Sequence, residues 1–305
     1  MCSETQPDRL PEACDLEQLG LSQDQVLSVE VICRRRINTM FRVCCGGRWF
    51  VLKWIDRPEM STELLAYRLL AQERVPVLTH TAGDRALLLE DLASSCDWRL
   101  ADEADMTSEE TGRGIAAWYR RFHEAGRKLL LQQPAAWQGL QREADRVTPE
   151  SIHTLQIRLG LEDARVLDWA AGQVDPVVRA IRRLPQTLNY NDFHWSNLAV
   201  NRTDCASIIV FDYHLLGQGL PHSDCRNVMG CLQGNARQAF AEAYGPVGPY
   251  EPVLDAPIAT LHALLMASEC PKLPRWAHPL VEAVRDGTFE RELHAAIDVA
   301  EEVNR

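Results

Sequence analysis

The strongest constraint on the fold is a change of hydrophobic period near Leu92. Before it, apolar residues fall in short runs broken by turn signals; after it, they recur at helical spacing over long stretches. "VLSVEVICRRR" (26–36) and "MFRVCCGG" (40–47) read as strands, with Gly46-Gly47 as a hairpin turn and "RWFVLKWID" (48–56) as the returning strand. "STELLAYRLLAQER" (61–74) reads as a helix that Ser61 or Thr62 can cap, with Leu64, Leu65, Leu69 and Leu70 as its apolar face. "VPVLTHTAGDRALLLEDL" (75–92) reads as two further strands around a Gly-Asp turn.

Beyond Leu92, Ile115, Trp118, Phe122 and Leu129 mark a helix, and most of 134–185 is helical by pattern. Two short β-like runs follow, "QTLNYND" (186–192) and "ASIIVFD" (206–212), with "LAV" (198–200) between them. Helical patterns return from Asn227, interrupted by "GPVGPYEP" (245–252). The order implies an α+β chain: a small β-rich lobe with one helix over 1–91, then a larger, mainly helical lobe over 92–305.

Composition excludes several partners. A net charge of −11 argues against nucleic acid, whose phosphates need clustered Lys and Arg. Arg34, Arg35 and Arg36 form a short basic run that reads as a solvated strand end. No apolar run approaches the roughly 20 residues that span a bilayer, and the opening segment is acidic and polar, so no membrane partner and a cytoplasmic location are expected. The 10 cysteines are scattered without a Cys-x-x-Cys pair, which predicts free, mostly buried thiols.

Polar chemistry concentrates in "LNYNDFHWSNLAVNR" (188–202). Asp192 and Asn197 alone would be explained by a turn held with Asx hydrogen bonds. Asp212, delivered at the end of the apolar run "SIIVFD", changes the balance, because Asn and Asp oxygens suit magnesium and leave room for phosphate. Asp192 is then free to accept a proton from an attacking hydroxyl, the division of labour of phosphoryl transfer. Lys53, late in "WFVLKW", is placed to reach nucleotide phosphates, and Glu63 follows ten positions later to pair with it. "LLLEDL" runs into the junction between the lobes, where backbone groups at Glu90, Asp91 and Leu92 can meet a nucleotide base.

Together these segments resemble the aminoglycoside phosphotransferase and choline kinase-like small-molecule kinases, relatives of protein kinases. Their catalytic loop reads His-Gly-Asp-x-His-x-x-Asn; "YNDFHWSN" matches it at Asp192, His194 and Asn197. "IIVFDY" matches the strand that ends in their metal-binding Asp at Asp212, and "GLPHSDCRNV" echoes a later segment through Asp224. The resemblance runs over roughly Val26 to Met229. It implies a two-lobed protein-kinase-like fold with an antiparallel small lobe, ATP or GTP as co-substrate, Mg2+ held by Asn197 and Asp212, and Asp192 as base. It also implies phosphoryl transfer to a hydroxyl of a small acceptor such as an aminoglycoside, amino alcohol or sugar.

Two departures stand out. Tyr190-Asn191 replaces the family's His-Gly, so Tyr190, His194 and Asp224 are expected to support the loop. No Gly-x-Gly-x-x-Gly is present; "RRRINTMF" stands there, with Asn38 and Thr39 as candidate phosphate contacts. Those departures motivate one alternative, a kinase-like nucleotide or metabolite binder without turnover. A protein kinase is disfavoured, because no Asp-Phe-Gly activation segment follows Asp212. His123 reads as a packed or surface helical residue, and Glu242, Glu251, Asp255 and Glu269 as acids able to draw a cationic amine.

Overall fold

The computed structural model describes residues 13–34, 38–55, 62–78, 80–83 and 85–305. A short helix α1 (Ala13–Gln18), which the hydrophobic period did not suggest, precedes a five-stranded sheet. The strands are β1 (Val26–Arg34), β2 (Asn38–Cys45), β3 (Arg48–Ile55), β4 (His80–Ala82) and β5 (Ala86–Glu90), in spatial order β1-β2-β3-β5-β4. All neighbours are antiparallel. Gly46 and Gly47 close the β2–β3 hairpin with φ of +56° and +75°, a region that glycine enters without a Cβ penalty.

Strand alternation sorts this sheet into two faces. Phe41, Val43, Leu52 and Leu88 pack with Leu16 and Leu19 on one side. On the other, Ile55, Leu87 and Leu89 join Leu64, Tyr67 and Leu70 of α2 (Thr62–Gln72). Lys53 shares the register of Leu87 and the parity of Ile55, so the period that buries the strand turns its ammonium toward α2. The expected cap of α2 falls partly on Ser61, outside the described residues, and Thr62 is the first helical residue.

The larger part is helical. It comprises α3 (Glu109–Gln132), α4 (Glu143–Arg146), α5 (Pro149–Leu159), α6 (Arg165–Arg183), α7 (Pro221–Cys231), α8 (Gly234–Tyr244), α9 (Glu251–Ser268), α10 (His278–Arg285) and α11 (Thr288–Asn304). Two small sheets interrupt it: β6 (Trp98–Leu100) with β8 (Leu198–Asn201) and β9 (Ile208–Val210), and β7 (Thr187–Asn189) with β10 (Gly217–Gly219). The runs at 186–192, 198–200 and 206–212 thus became strands. Strands β6 and β10 were not expected; they pair with β8 and β7. Among the described residues no helix is long and apolar enough to cross a membrane. The described cysteines are free thiols but not mostly buried: Cys44, Cys45 and Cys225 are buried, whereas Cys96, Cys205 and Cys270 are exposed.

Helix α3 packs closely through glycines against α8, the segment entering β9, and β7. A Cβ on Gly112 would lie 2.3 Å from the Ala236 carbonyl oxygen, one on Gly114 2.3 Å from that of Ala206, and one on Gly126 2.7 Å from the Leu188 nitrogen. Each glycine costs a helix interior roughly 1 kcal/mol against alanine, which these close approaches offset. Gly126→Ala should therefore destabilise by about 1–3 kcal/mol through overpacking. Gly172→Ala in α6, with nothing within 4 Å, should be neutral or stabilising. Urea midpoints of the two variants test this; equal midpoints would contradict it.

Candidate active site

The site is centred on one buried ammonium. Lys53 Nζ stands 2.7 Å from Glu63 Oε2 on α2 and 2.7 Å from Asp212 Oδ1, just past the end of β9. Lys53 and Glu63 are only 4% and 2% exposed, so neither charge has water to fall back on. Burial works against the Lys53 charge, but the two carboxylates outweigh it and hold its pKa above the ordinary lysine range. Burial raises Glu63, with Lys53 opposing it. Burial also penalises the Asp212 charge, but His214 and Lys53 outweigh it and hold Asp212 below the usual carboxylate range.

Asp212 has φ of +66°, a left-handed conformation that costs a non-glycine residue energy and concentrates at functional sites. Asp192 lies across from it. Asn197 Nδ2 donates to the Asp192 carbonyl at 3.1 Å and to its Oδ2 at 2.9 Å. That leaves the Asn197 amide oxygen as the donor atom toward a cation. His194 caps the short 3-10 turn Trp195–Asn197 that delivers Asn197, its Nδ1 accepting from Ser196 N at 3.2 Å. Burial raises the Asp192 pKa above the usual carboxylate value, against the opposing charge of His214.

His214 is the residue that motif reading passed over. Its Nδ1 is 2.9 Å from Asp212 Oδ1 and 3.8 Å from Asp192 Oδ2. The hydrogen bond to Asp212 and the charges of both carboxylates raise its pKa, although burial opposes the imidazolium. Its signal was the spacing Asp-x-His at 212–214. Asp192, Asp212 and His214 bring ligand atoms within 4.8 Å of one another. The Asp192, Asp212 and Asn197 oxygens are of the hard kind that magnesium takes, whereas the His214 nitrogen is not.

A second buried carboxylate holds the loop. Asp224, in the first turn of α7 and 1% exposed, accepts from the backbone N–H of Tyr190 at 2.9 Å and of Asn191 at 3.0 Å. His123 Nε2 lies 3.0 Å from the same carboxylate, and His123 Nδ1 is 2.7 Å from the Tyr244 hydroxyl. His123 is therefore packed inside the chain. The Tyr190 hydroxyl donates to the Phe211 carbonyl at 2.5 Å, tying the loop of Asp192 to the residue before Asp212.

Sequence comparison matches no family model and no curated protein. Structure comparison finds spectinomycin phosphotransferase, solved with ADP and spectinomycin, at TM-score 0.57 and 11% identity, covering 95% of this chain and 98% of that one. The macrolide 2'-phosphotransferase of Brachybacterium faecium follows at 0.51 and 16% identity, covering 93% and 96%. An ethanolamine kinase of Plasmodium vivax matches at 0.51 and 11% identity, covering 91% and 82%. The chain has the fold of small-molecule phosphotransferases.

Within that fold the Tyr190-Asn191 departure acquires a physical reason. Asn191 has φ of +64°, a conformation that glycine adopts freely and that asparagine tolerates best among other residues. Tyr190 reaches the Phe211 carbonyl with a hydroxyl, so loop and strand end are still joined.

The remaining candidates are dispersed around the small lobe. Asn38 and Thr39 open β2, with Thr39 in register with Arg34, so they stand at the mouth of the β1–β2 hairpin. Arg35 and Arg36 lie outside the described residues. Asn38 is 6% exposed and its Oδ1 has no partner among the described residues. Asp91 spends its carboxylate on Arg42 at 2.8 Å and its carbonyl on the Ser94 turn at 3.0 Å. Glu90 Oε1 accepts from Ser95 Oγ at 2.5 Å, and Leu92 is buried.

Beside Asn191 and His214 opens a cavity of about 370 Å3, also lined by Thr62, Leu140, Arg142, Glu143, Arg146, Leu215, His262 and Met266. The four acids able to draw an amine do not line it. Glu242 bonds Gln238, Glu251 caps backbone N–H groups of His222 and Gly248, Asp255 holds Ser223 and Arg226, and Glu269 holds Arg146.

Tyr190→Phe should cost about 1 kcal/mol by leaving the Phe211 carbonyl without its donor. Asp224→Ala should cost more, because it strands two backbone N–H groups and His123 together. Urea midpoints measure both; an Asp224→Ala protein as stable as wild type would mean that this carboxylate does not anchor the loop.

Proposed function

We propose that the protein is a phosphotransferase that moves the γ-phosphoryl group of ATP or GTP to a hydroxyl of a small-molecule acceptor. Residues 1–91 form the nucleotide lobe, and 92–305 carry the catalytic loop and the acceptor cavity. What supports the reading best is the junction itself: Lys53 of the small lobe bridges Glu63 and Asp212 at 2.7 Å each, directly beside Asp192 and Asn197. A structural ion pair needs no second carboxylate, no paired Asn–Asp loop and no open cavity beside it.

Lys53 grips the nucleotide phosphates, and Glu63 fixes the direction in which the ammonium points. Asn38 and Thr39 stand where the β1–β2 hairpin can meet the phosphates. The backbone at Glu90 and Leu92 faces the base, while the Asp91 carbonyl is taken by the Ser94 turn. Asn197 and Asp212 would hold Mg2+, with His214 at their edge. When bound, the ion would supply positive charge against the nucleotide phosphates.

Asp192 orients the acceptor hydroxyl and takes its proton. Asn197 engages Oδ2, whereas Oδ1 has no partner among the described residues, so Oδ1 is the proton-accepting atom. The burial that raises its pKa makes this carboxylate a better base than a solvated one. His194, Tyr190 and Asp224 keep the loop in place for that transfer.

The alternatives gain no support from the geometry. Of the two motives for a binder without turnover, Tyr190 and the missing glycines, the first loses force, because the Tyr190 hydroxyl joins loop and strand end. A protein kinase would need an activation segment after Asp212, yet β10 begins at Gly217 and α7 at Pro221.

With ATP and Mg2+, ADP release in the presence of acceptor should fall by about 10²–10⁴-fold in Asp192→Asn. Lys53→Met should chiefly weaken nucleotide binding, read as lost thermal protection. Wild-type turnover by purified Asp192→Asn would sink the proposed base.

A further inference from the structure

The charge balance of the 370 Å3 cavity points to an acceptor class. Five ionisable side chains line it: Arg142, Glu143, Arg146, His214 and His262. Glu143 is the only acid among them, and it is already engaged. Its Oε2 lies 3.2 Å from Arg226, whose Nε holds Asp255 at 2.7 Å, and burial raises its pKa toward the uncharged form. His262 lies 3.8 Å from Glu143, beyond hydrogen-bond reach. Burial, with Arg146 and Arg226 nearby, pushes its pKa down to about 4, so the imidazole is neutral. His214 is committed to Asp212 at 2.9 Å.

Two guanidinium groups remain. Arg142 NH2 is fixed by the Gln218 side chain at 2.8 Å, a neutral partner. Asp145 accepts from Arg142 NH1 through Oδ2 at 3.4 Å and from Arg182 NH2 through Oδ1 at 2.7 Å. One carboxylate thus serves two guanidinium groups, and Arg142 has only the longer of the two bonds. Arg146 pairs at 3.1 Å with Glu269, which is not part of the cavity wall. Among the described residues of the wall a polycationic amine would meet two guanidinium groups and a single carboxylate, Glu143, that already has a partner. A planar guanidinium fork instead matches a carboxylate or phosphate.

We propose that the acceptor is a small hydroxylated anion, a hydroxy acid, sugar acid or sugar phosphate, whose anionic group is held by Arg142 with Arg146 beside it while its hydroxyl reaches Asp192. This rests on the phosphotransferase reading of the same site. The negative charge of the whole chain does not oppose it, because a cavity responds to the charges in its walls more than to distant, screened ones.

The test begins with thermal protection by ATP and Mg2+ alone. ADP release is then measured with an anionic panel (D-gluconate, D-glycerate, glucose 6-phosphate) and an amine panel (kanamycin, ethanolamine, choline). The expected result is nucleotide protection, with at least one anion turned over at a kcat/KM at least tenfold above every amine. Arg142→Ala should raise the KM for that anion by about 10–100-fold, as expected for loss of a charge-assisted bond, with kcat changed much less. Arg142→Lys, which keeps the charge without the fork, should recover part of the loss and guard against a folding artefact. Turnover of amines only, of neither panel despite nucleotide protection, or of anions with an unchanged KM in Arg142→Ala would overturn the acceptor class. Absence of nucleotide protection would overturn the phosphotransferase reading beneath it.

Discussion

The arrangement of the site depends on taking the Lys53 charge out of water. A buried ammonium is costly unless it is paired, and here two carboxylates from distant parts of the chain meet it: Glu63 on the helix behind the sheet and Asp212 beyond β9. The cost is what makes the contact specific. Any arrangement that separates the small sheet from β9 leaves Lys53 and Glu63 as buried charges with too few partners. The contact therefore does in electrostatics what the apolar cluster joining Ile55, Leu64 and Tyr67 to Tyr190 and Tyr213 does in packing. The opposed shifts of the two acids follow from unequal burial. Glu63 is enclosed and pulled toward its neutral form, whereas Asp212 is 22% exposed and has His214 as a second partner.

The loop carrying Asp192 solves a different problem, that of holding a reactive carboxylate still while leaving one oxygen available. The loop is gripped through its backbone. Asp224 takes two consecutive N–H groups, Tyr190 ties its hydroxyl to Phe211, and Asn197 takes the Asp192 carbonyl as well as Oδ2. A backbone clamp tolerates side-chain substitution as long as the dihedral angles can be met. This explains why Tyr190-Asn191 can stand where related loops carry His-Gly. Asparagine supports the left-handed turn, and a tyrosine of sufficient length finds a carbonyl acceptor.

Much of this was legible in the sequence because it depends on local period. Alternation in "RWFVLKWI" fixes the face of Lys53, helical spacing in "TELLAYRLLAQ" puts Glu63 beside it, and the apolar run before Asp212 marks its strand end. The resemblance to a catalytic loop then assembled pieces that were individually ambiguous. What stayed hidden depends on tertiary placement. His214 matters only because Asp212 is left-handed and the chain turns back toward Asp192. The glycines of α3 look like defects until the segments that press against them are known. The acids at 242, 251, 255 and 269 looked available because sequence does not reveal the partners that occupy them.

Arg142 illustrates the same limit from the opposite direction. It flanks a four-residue helix, too short for any periodic signal, and by sequence it is one basic residue among 32 Lys and Arg in a chain of net charge −11. From composition alone, an acidic chain suggests a cationic ligand. That inference fails when the acids are counted by what they already touch. Glu143 and Asp255 are tied into one network by Arg226, and Asp145 is shared by Arg142 and Arg182. A carboxylate shared by two guanidinium groups leaves one positive charge uncompensated, and Arg142, also fixed by the neutral Gln218, stands on the cavity wall. The sign of a binding site is thus set by the cations and anions left over after internal pairing, and here the surplus is positive.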